Sequence, residues 1–411
     1  MLKIDKIQHV VLKGTVKLPG SKSIANRILL MKAIAGAELD FVNLPESNDV
    51  IVLKKCLETD NGTCFFEDAG TPLRFYLTYV ALRGNDERVI DGFERLKERP
   101  IKPLLEALEF CGAEFNYLEK AYSLPLKVVK ALNKDTKELS ISASVSSQFI
   151  SALMLIAPYL NNGLIIRLKG EMRSAPYVKM TMALMNQYGV RCEYEDTAIV
   201  VGAGQYLFDS TEIESDWSAA AFFYNLMAVG RKGDLFLEGL DQDSIQGDHK
   251  IIDYYRELGV QTDFEVGGVR IRCEGDVPAN FEVDLRDTPD VFPALCATVV
   301  ALRIPSIFKG IRNLRDKESD RVEAMANNSK LMGATFRMVN DDELSISFDS
   351  MPEEKMDIQT YGDHRIAMAC SVFAMKAELE IDVEEVVSKS FPSYWEVFNQ
   401  LYGNLAKKVS E

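Results

Sequence analysis

Histidine and tryptophan are scarce here, three and two among 411 residues. His9, His249 and His364 are too scattered for a recognisable zinc motif, and no H-E-x-x-H occurs. Paired cysteines are also missing. The seven thiols form no C-x-x-C, their number is odd, and Cys296 and Cys370 sit in apolar stretches. That pattern fits small buried thiols in a reduced, cytoplasmic protein. The most apolar stretch, residues 149–160, falls well short of the roughly 20 residues a membrane span needs. The first six residues alternate charge and lack the apolar centre of a secretory signal. Basic runs never exceed two residues, and 47 Lys+Arg against 62 Asp+Glu leave a net charge of −15. A general nucleic-acid binder needs a basic face, and so does a binder of acidic membranes. Both are excluded, whereas small anionic substrates are not, because a cationic pocket can sit inside an acidic protein. Gly202-Ala203-Gly204 lacks the third glycine of a dinucleotide fingerprint, and no G-x-S-x-G elbow is present. Residues 241–247 faintly resemble a calcium loop, but Ile245 takes a ligand position and the glycine is one place late, so they read as a turn.

What is present is a repeat. A small or polar cluster leads into an apolar helical run rich in Ala, Leu and Met. It begins near Gly20, Asp68, Ser146, Asp216, Asp287 and Gly362, at spacings of 48, 78, 70, 71 and 75 residues. An amphipathic helix pattern closed by glycine is interleaved, at Gly112, Gly189, Gly259 and Gly333, with a weak copy at Gly62. Each closing glycine is the usual left-handed helix cap, and the alternation after it reads as a strand. The chain is therefore an α/β protein of about six units of roughly 70 residues, more than a thin solenoid needs. Runs that are apolar all round mark buried helices. Their polar starts are either plain N-caps or anion sites, because a helix N-terminus carries free N–H groups and partial positive charge.

Several starts carry cations. Lys22 and Ser23 sit at a loop-to-helix junction with Arg27 one turn on, as G-S-K-S rather than the contiguous G-K-[ST] of a Walker loop. Asp68-Ala69-Gly70-Thr71-Pro72-Leu73-Arg74 offers backbone N–H groups, and its proline is tolerated in a first turn. Arg99 precedes another helix; spacing alone leaves it a surface charge or a carboxylate clamp. Ser144, Ser146, Ser147 and Gln148, with Ser174 and Tyr177 further on, suit an oxygen-rich ligand or a serine-rich turn. Asn313 to Arg321 is the densest charged segment. His364 and Arg365 open an apolar helix, where positive charge opposes the dipole unless it serves an anion.

Taken together, LPGSKSIANR, DAGTPLR, KERPI, SVSSQF, SAPY, Pro289-Asp290, KESDR, GDHRIAM and KSFPSYWE resemble the 5-enolpyruvylshikimate-3-phosphate synthase family. The segments run in family order from residue 18 to residue 396. The resemblance implies six α/β units in two globular domains, an inverse α/β barrel whose buried helices point their N-termini at an interdomain cleft. One domain would span residues 20–213, and the other residues 1–19 with 214–411. It implies transfer of the enolpyruvyl group of phosphoenolpyruvate to the 5-hydroxyl of shikimate 3-phosphate, releasing phosphate by addition and elimination. No metal or organic cofactor would be needed, and the protein would be a cytoplasmic monomer inhibited by glyphosate. By resemblance, Lys22, Ser23, Arg27, Ser146, Ser147, Gln148, Ser174, Tyr177, Asp290, Asn313 and Lys317 would hold shikimate 3-phosphate. Lys22, Gly70, Arg99, Gln148, Arg321, Arg365 and Lys389 would hold phosphoenolpyruvate, Gly70 leaving room there. Asp290 would be the base, Glu318 the proton donor to the methylene carbon, and Lys22 a stabiliser of developing charge; Thr71 and His364 are lesser candidates.

The chain departs from the family pattern in places. The stretch between Asp49 and Asp68 is about 20 residues short, which puts the second unit's sheet in doubt. Asp68 stands where many members have Asn, Pro72 and Ala175 replace Ala and Lys, and Leu314 replaces an aromatic residue. Two other readings compete. A sister transferase acting on UDP-N-acetylglucosamine carries a reactive cysteine near the Arg99 position, and residues 93–99 have none. A non-catalytic anion binder is opposed by Asp290, Lys22 and Glu318.

Overall fold

The computed structural model describes the whole chain except residues 9–10, 60–61, 85, 144–145, 171, 209–211, 404 and 409–411. His9 and two members of the serine cluster, Ser144 and Val145, therefore lie outside the described residues. The chain divides into two bodies. An inserted body runs from Ser21 to Ile213, and a terminal body combines Met1–Gly20 with Glu214–Glu411.

Each of the six apolar runs forms a helix: Lys22–Ala35, Gly70–Arg83, Ser147–Ile156, Trp217–Gly230, Phe292–Leu302 and His364–Cys370. Their sequences are apolar on every side, so none has a face to offer water. Ala219 through Val229 and Phe292 through Ala301 are buried without interruption. The first three helices pack on one another in the inserted body, and the last three do so in the terminal body.

Beside the Gly70, Ser147 and Phe292 helices, a four-stranded sheet recurs in one pattern. A short strand enters the buried helix, which crosses over to a parallel strand, the connection that parallel pairing demands. An amphipathic helix and a hairpin follow, and the hairpin's second strand adds antiparallel to the crossover strand. In the inserted body, Glu138–Ser142 pairs parallel with Leu164–Lys169 across Ser147–Ile156, and the hairpin Cys192–Glu195/Ala198–Val201 completes the sheet. In the terminal body, Phe281–Asp284, Ser306–Lys309, Glu343–Phe348 and Ala334–Asn340 repeat the order. The closing glycines Gly112, Gly189, Gly259 and Gly333 all have φ between 74° and 90°, the left-handed cap their spacing implied.

The N-terminal residues belong with the distant half because they complete two of its sheets. Leu12–Lys17 pairs parallel with Gly233–Glu238, and Leu2–Ile4 lies antiparallel between Glu378–Ile381 and Ala406–Lys408. The shortened segment acts one unit earlier than its position in the sequence suggested. The sheet of the Gly70 helix is whole, formed by Thr63–Phe65, Asp86–Asp91, Leu126–Lys130 and Glu114–Tyr117. It is the Lys22 helix that has no four-stranded sheet among the described residues; its unit keeps a single bridge, Val42 to Glu212. The missing residues are those of a hairpin. Helix Asn48–Glu58 instead leads almost directly into Thr63–Phe65, the first strand of the next unit.

All seven cysteines are free, six of them buried. No described helix is long and apolar enough to cross a membrane.

Candidate active site

The terminal body gathers five of the expected residues. Asp290, in a 3-10 turn before helix Phe292–Leu302, receives Arg321 Nη1 at 2.8 Å and Lys317 Nζ at 3.4 Å on Oδ1. Arg365 Nη2 reaches Oδ2 at 3.2 Å. Arg321, only 1% exposed, spends its whole fork on carboxylates: Nε to Asp363 and Nη2 to Glu318, both at 2.8 Å. Burial alone would raise the Asp290 carboxyl, but Arg365, Lys317 and Arg321 outweigh it and hold it well below the usual range. Burial likewise opposes the charge on Arg321, and Asp363, Glu318 and Asp290 push its pKa above the ordinary value instead.

Asp363 explains how two basic residues are tolerated at the start of a helix. Its carboxylate caps the Arg365 N–H at 2.9 Å and accepts Ser319 Oγ at 3.2 Å, while its other partner is Arg321. The Arg365 guanidinium is then aimed at Asp290. His364 is fully buried, its Nδ1 3.6 Å from Asp363. Lys389 is buried at the end of the turn Glu384–Lys389, which packs against this helix. Asn313 is half-buried in the turn Arg312–Asp316, short of Lys317 in sequence.

Asp248 was missed by sequence reasoning. It follows the turn that resembled a calcium loop, where Asp241 and Ser244 accept backbone N–H groups within the turn. The carboxyl is 4% exposed and accepts Ser218 Oγ from the first turn of helix Trp217–Gly230. Burial, reinforced by the charges of Asp290 and Asp216 against Arg365 and Ser218, pushes it up to about 7. Two carboxyls with opposite environments therefore share one electrostatic neighbourhood, Asp290 firmly ionised and Asp248 poised near neutrality. The only available signal was a lone Gly-Asp, which carries no chemistry by itself.

In the inserted body, Lys22 opens its helix and pairs with Asp49 Oδ2 at 3.1 Å. Ser21 gives that helix no side-chain cap, and Ala69 gives none to the Gly70 helix. The Ser147 helix is capped conventionally, Ser146 Oγ accepting Gln148 N at 3.3 Å. Ser147 is buried in its first turn, and Ser174, at φ 55°, precedes helix Ala175–Gln187, which carries Tyr177.

Arg27 is held otherwise than a bare carboxylate clamp would be. Its fork donates to Thr181 Oγ1 at 2.8 Å, the Ser23 carbonyl at 2.7 Å, the Tyr177 carbonyl at 3.1 Å and Ser151 Oγ at 3.4 Å. All are neutral oxygens. Burial, with a smaller opposing contribution from Tyr177, brings it down to about 10. A buried cation surrounded only by neutral acceptors is incomplete electrostatically and favours an anion nearby.

Gly70 does not leave an empty space. A Cβ placed there would meet Arg74 Nη1 and Arg99 Nη1, each at 2.6 Å. Any side chain there would have to displace the two guanidinium groups that lie over the glycine Cα. Among the described residues Arg99 makes no ion pair. Thr71 lies in the same first turn.

Uncapped helix starts, a desolvated cation–carboxylate cluster and paired guanidinium groups over a glycine define a class: a repeated α/β protein equipped for proton transfer on anionic substrates. The chain belongs to the EPSP synthase (3-phosphoshikimate 1-carboxyvinyltransferase) family, whose sequence model matches residues 7–59 and 52–398. It is 35% identical to a 3-phosphoshikimate 1-carboxyvinyltransferase of Bacteroides fragilis, over 93% of this chain and 94% of that protein. A protein of the same name from Shewanella sediminis is 32% identical, over 97% and 99%. The solved EPSP synthase of Acinetobacter baumannii has the same fold, with a TM-score of 0.75 over the full length of both chains at 19% identity.

Proposed function

We propose that this chain transfers the enolpyruvyl group of phosphoenolpyruvate to the 5-hydroxyl of shikimate 3-phosphate, releasing phosphate, on the route to aromatic amino acids. The observation that carries this reading is the Asp290 cluster, in which the carboxylates of Asp290, Glu318 and Asp363 interlock with Lys317, Arg321 and Arg365 in a largely buried site of a family member.

Asp290 takes the proton from the 5-hydroxyl, the oxygen adds to the enol carbon, and Glu318 delivers a proton to the methylene. Elimination removes a proton from that carbon and expels phosphate. Lys22 and the cations at Arg99, Arg321, Arg365 and Lys389 hold phosphoenolpyruvate, with the Gly70 N–H and Gln148. Ser23, Arg27, Ser146, Ser147, Gln148, Ser174, Tyr177, Asn313 and Lys317 hold shikimate 3-phosphate.

The same cluster supplies a gate. With its three cations in place, Asp290 is a weaker base than an ordinary carboxylate. Anionic substrates draw Arg321, Arg365 and Lys317 onto themselves, and the carboxylate gains basicity only when they are bound. The chain acts as a cytoplasmic monomer on two small anions and engages neither nucleic acid nor membrane.

The test is phosphorus NMR of purified protein mixed with both substrates. Signals of 5-enolpyruvylshikimate 3-phosphate and inorganic phosphate growing together support the reading. Unchanged substrate signals, or transfer to UDP-N-acetylglucosamine in a competition, defeat it.

A further inference from the structure

The inserted body contains a buried cation, close to Gln148 and Arg99, that none of these roles employs. Arg74 lies one turn into helix Gly70–Arg83, 3% exposed. Nη1 donates to Gln148 Oε1 at 2.6 Å, and Nη2 donates to the Pro100 carbonyl at 3.1 Å. The guanidinium also lies 5.3 Å from the centre of the Phe149 ring. One side chain thus joins three segments: the Gly70 helix, the turn carrying Arg99, and the start of the Ser147 helix.

We propose that Arg74 is a positioning residue for phosphoenolpyruvate, acting through Gln148 and Arg99. The inference rests on the proposed function, which gives those two residues that substrate. A guanidinium can only donate, so the amide facing it must present its oxygen. The Gln148 NH2 group is thereby turned away from Arg74 and fixed as a donor. Without Arg74 the amide is free to flip, and half its orientations present an acceptor to an anion. On the other side, the bond to Pro100 anchors the backbone next to Arg99. Arg74 Nη1 and Arg99 Nη1 each lie 2.6 Å from one point above Gly70, so they are within about 5 Å of each other. Two like charges held that close are relieved by an anion between them. Gln148 is thus oriented, and Arg99 is held beside a second positive charge, by a residue whose own hydrogen bonds go to the protein.

The test is a double-mutant cycle on the full-length enzyme, with steady-state KM for phosphoenolpyruvate and kcat measured for wild type, Arg74→Lys, Gln148→Ala and the double variant. Lysine keeps the charge and stem but loses the planar fork. Each single change should raise KM by about 10- to 100-fold, the worth of a charge-assisted hydrogen bond, and lower kcat by a much smaller factor. The double variant should fall clearly short of the product of the two single effects, because both remove the Arg74–Gln148 contact. Arg74→Lys within about twofold of wild type, or effects that simply multiply, overturns the proposal. Loss of the folding transition in Arg74→Lys also overturns it, assigning the residue to stability. An inactive wild type would instead sink the functional reading itself.

Discussion

Replacing Asp248 by asparagine keeps the shape and the acceptor for Ser218 while removing a charge that this site resists. In the unfolded chain the carboxyl ionises near 3.8, and in the native state near 7. Because the native state binds the proton more tightly, this group's contribution is most favourable below pH 3.8 and is lost as pH rises through 7. A tenfold change in an ionisation constant is about 1.4 kcal/mol, so the full loss is roughly 4 kcal/mol. From about pH 5.5 to about pH 8.5, the linkage relation gives roughly 2 kcal/mol of that. Asp248→Asn should therefore gain stability over wild type as pH rises, by about 2 kcal/mol across that range. Urea denaturation of both proteins at the two pH values, followed by tryptophan fluorescence, reads the difference; Trp217 adjoins Ser218 in the same helix turn. A stability difference that stays flat with pH, or favours wild type at high pH, would show that Asp248 is not held protonated.

Other consequences are separate. Gly70→Ala pushes a methyl into the Arg74 and Arg99 guanidinium groups; KM for phosphoenolpyruvate should rise about tenfold or more with little change for shikimate 3-phosphate, and an unchanged KM would refute the packing over Gly70. Glyphosate should compete with phosphoenolpyruvate for these cations, and an inhibition constant in the high millimolar range would contradict that. Glu318→Gln should lower kcat by about 10²- to 10⁴-fold, the loss of one proton-transfer group, and near-normal turnover would remove it from the mechanism. Asp363→Ala strips Arg321 of a buried partner and His364–Cys370 of its cap, so unfolding free energy should fall by about 3–5 kcal/mol; a loss under about 1 kcal/mol would mean the pair is not buried as described.

The parts legible in the sequence were those with local causes. Apolar runs with polar starts marked all six buried helices, and four of the closing glycines carried the left-handed cap their positions required; Gly62 did not, because helix Asn48–Glu58 ends at Thr59 in extended backbone. The shortened segment was legible as a deletion, but which sheet it removed was decided by long-range pairing. Thr63–Phe65 found a parallel partner in Asp86–Asp91, so the second unit kept its sheet. The same limit applies to the site. Lys22, Gly70 and Asp290 stand in recognisable motifs, whereas the neutral surroundings of Arg27 come from Ser151, Tyr177 and Thr181, more than a hundred residues away. Arg74 was visible only as the last residue of the DAGTPLR segment, because nothing local ties it to Gln148. Asp248 had only a lone Gly-Asp to mark it; its chemistry is made by burial beside Asp290 and Arg365.

The central claim is tested most directly by phosphate release from purified protein given both substrates, beside a Lys22→Met control. The account predicts release that requires phosphoenolpyruvate and shikimate 3-phosphate together and falls by orders of magnitude in the control. Release no faster than the control, with both substrates shown to bind by calorimetry, would contradict it and leave an anion-binding protein without turnover.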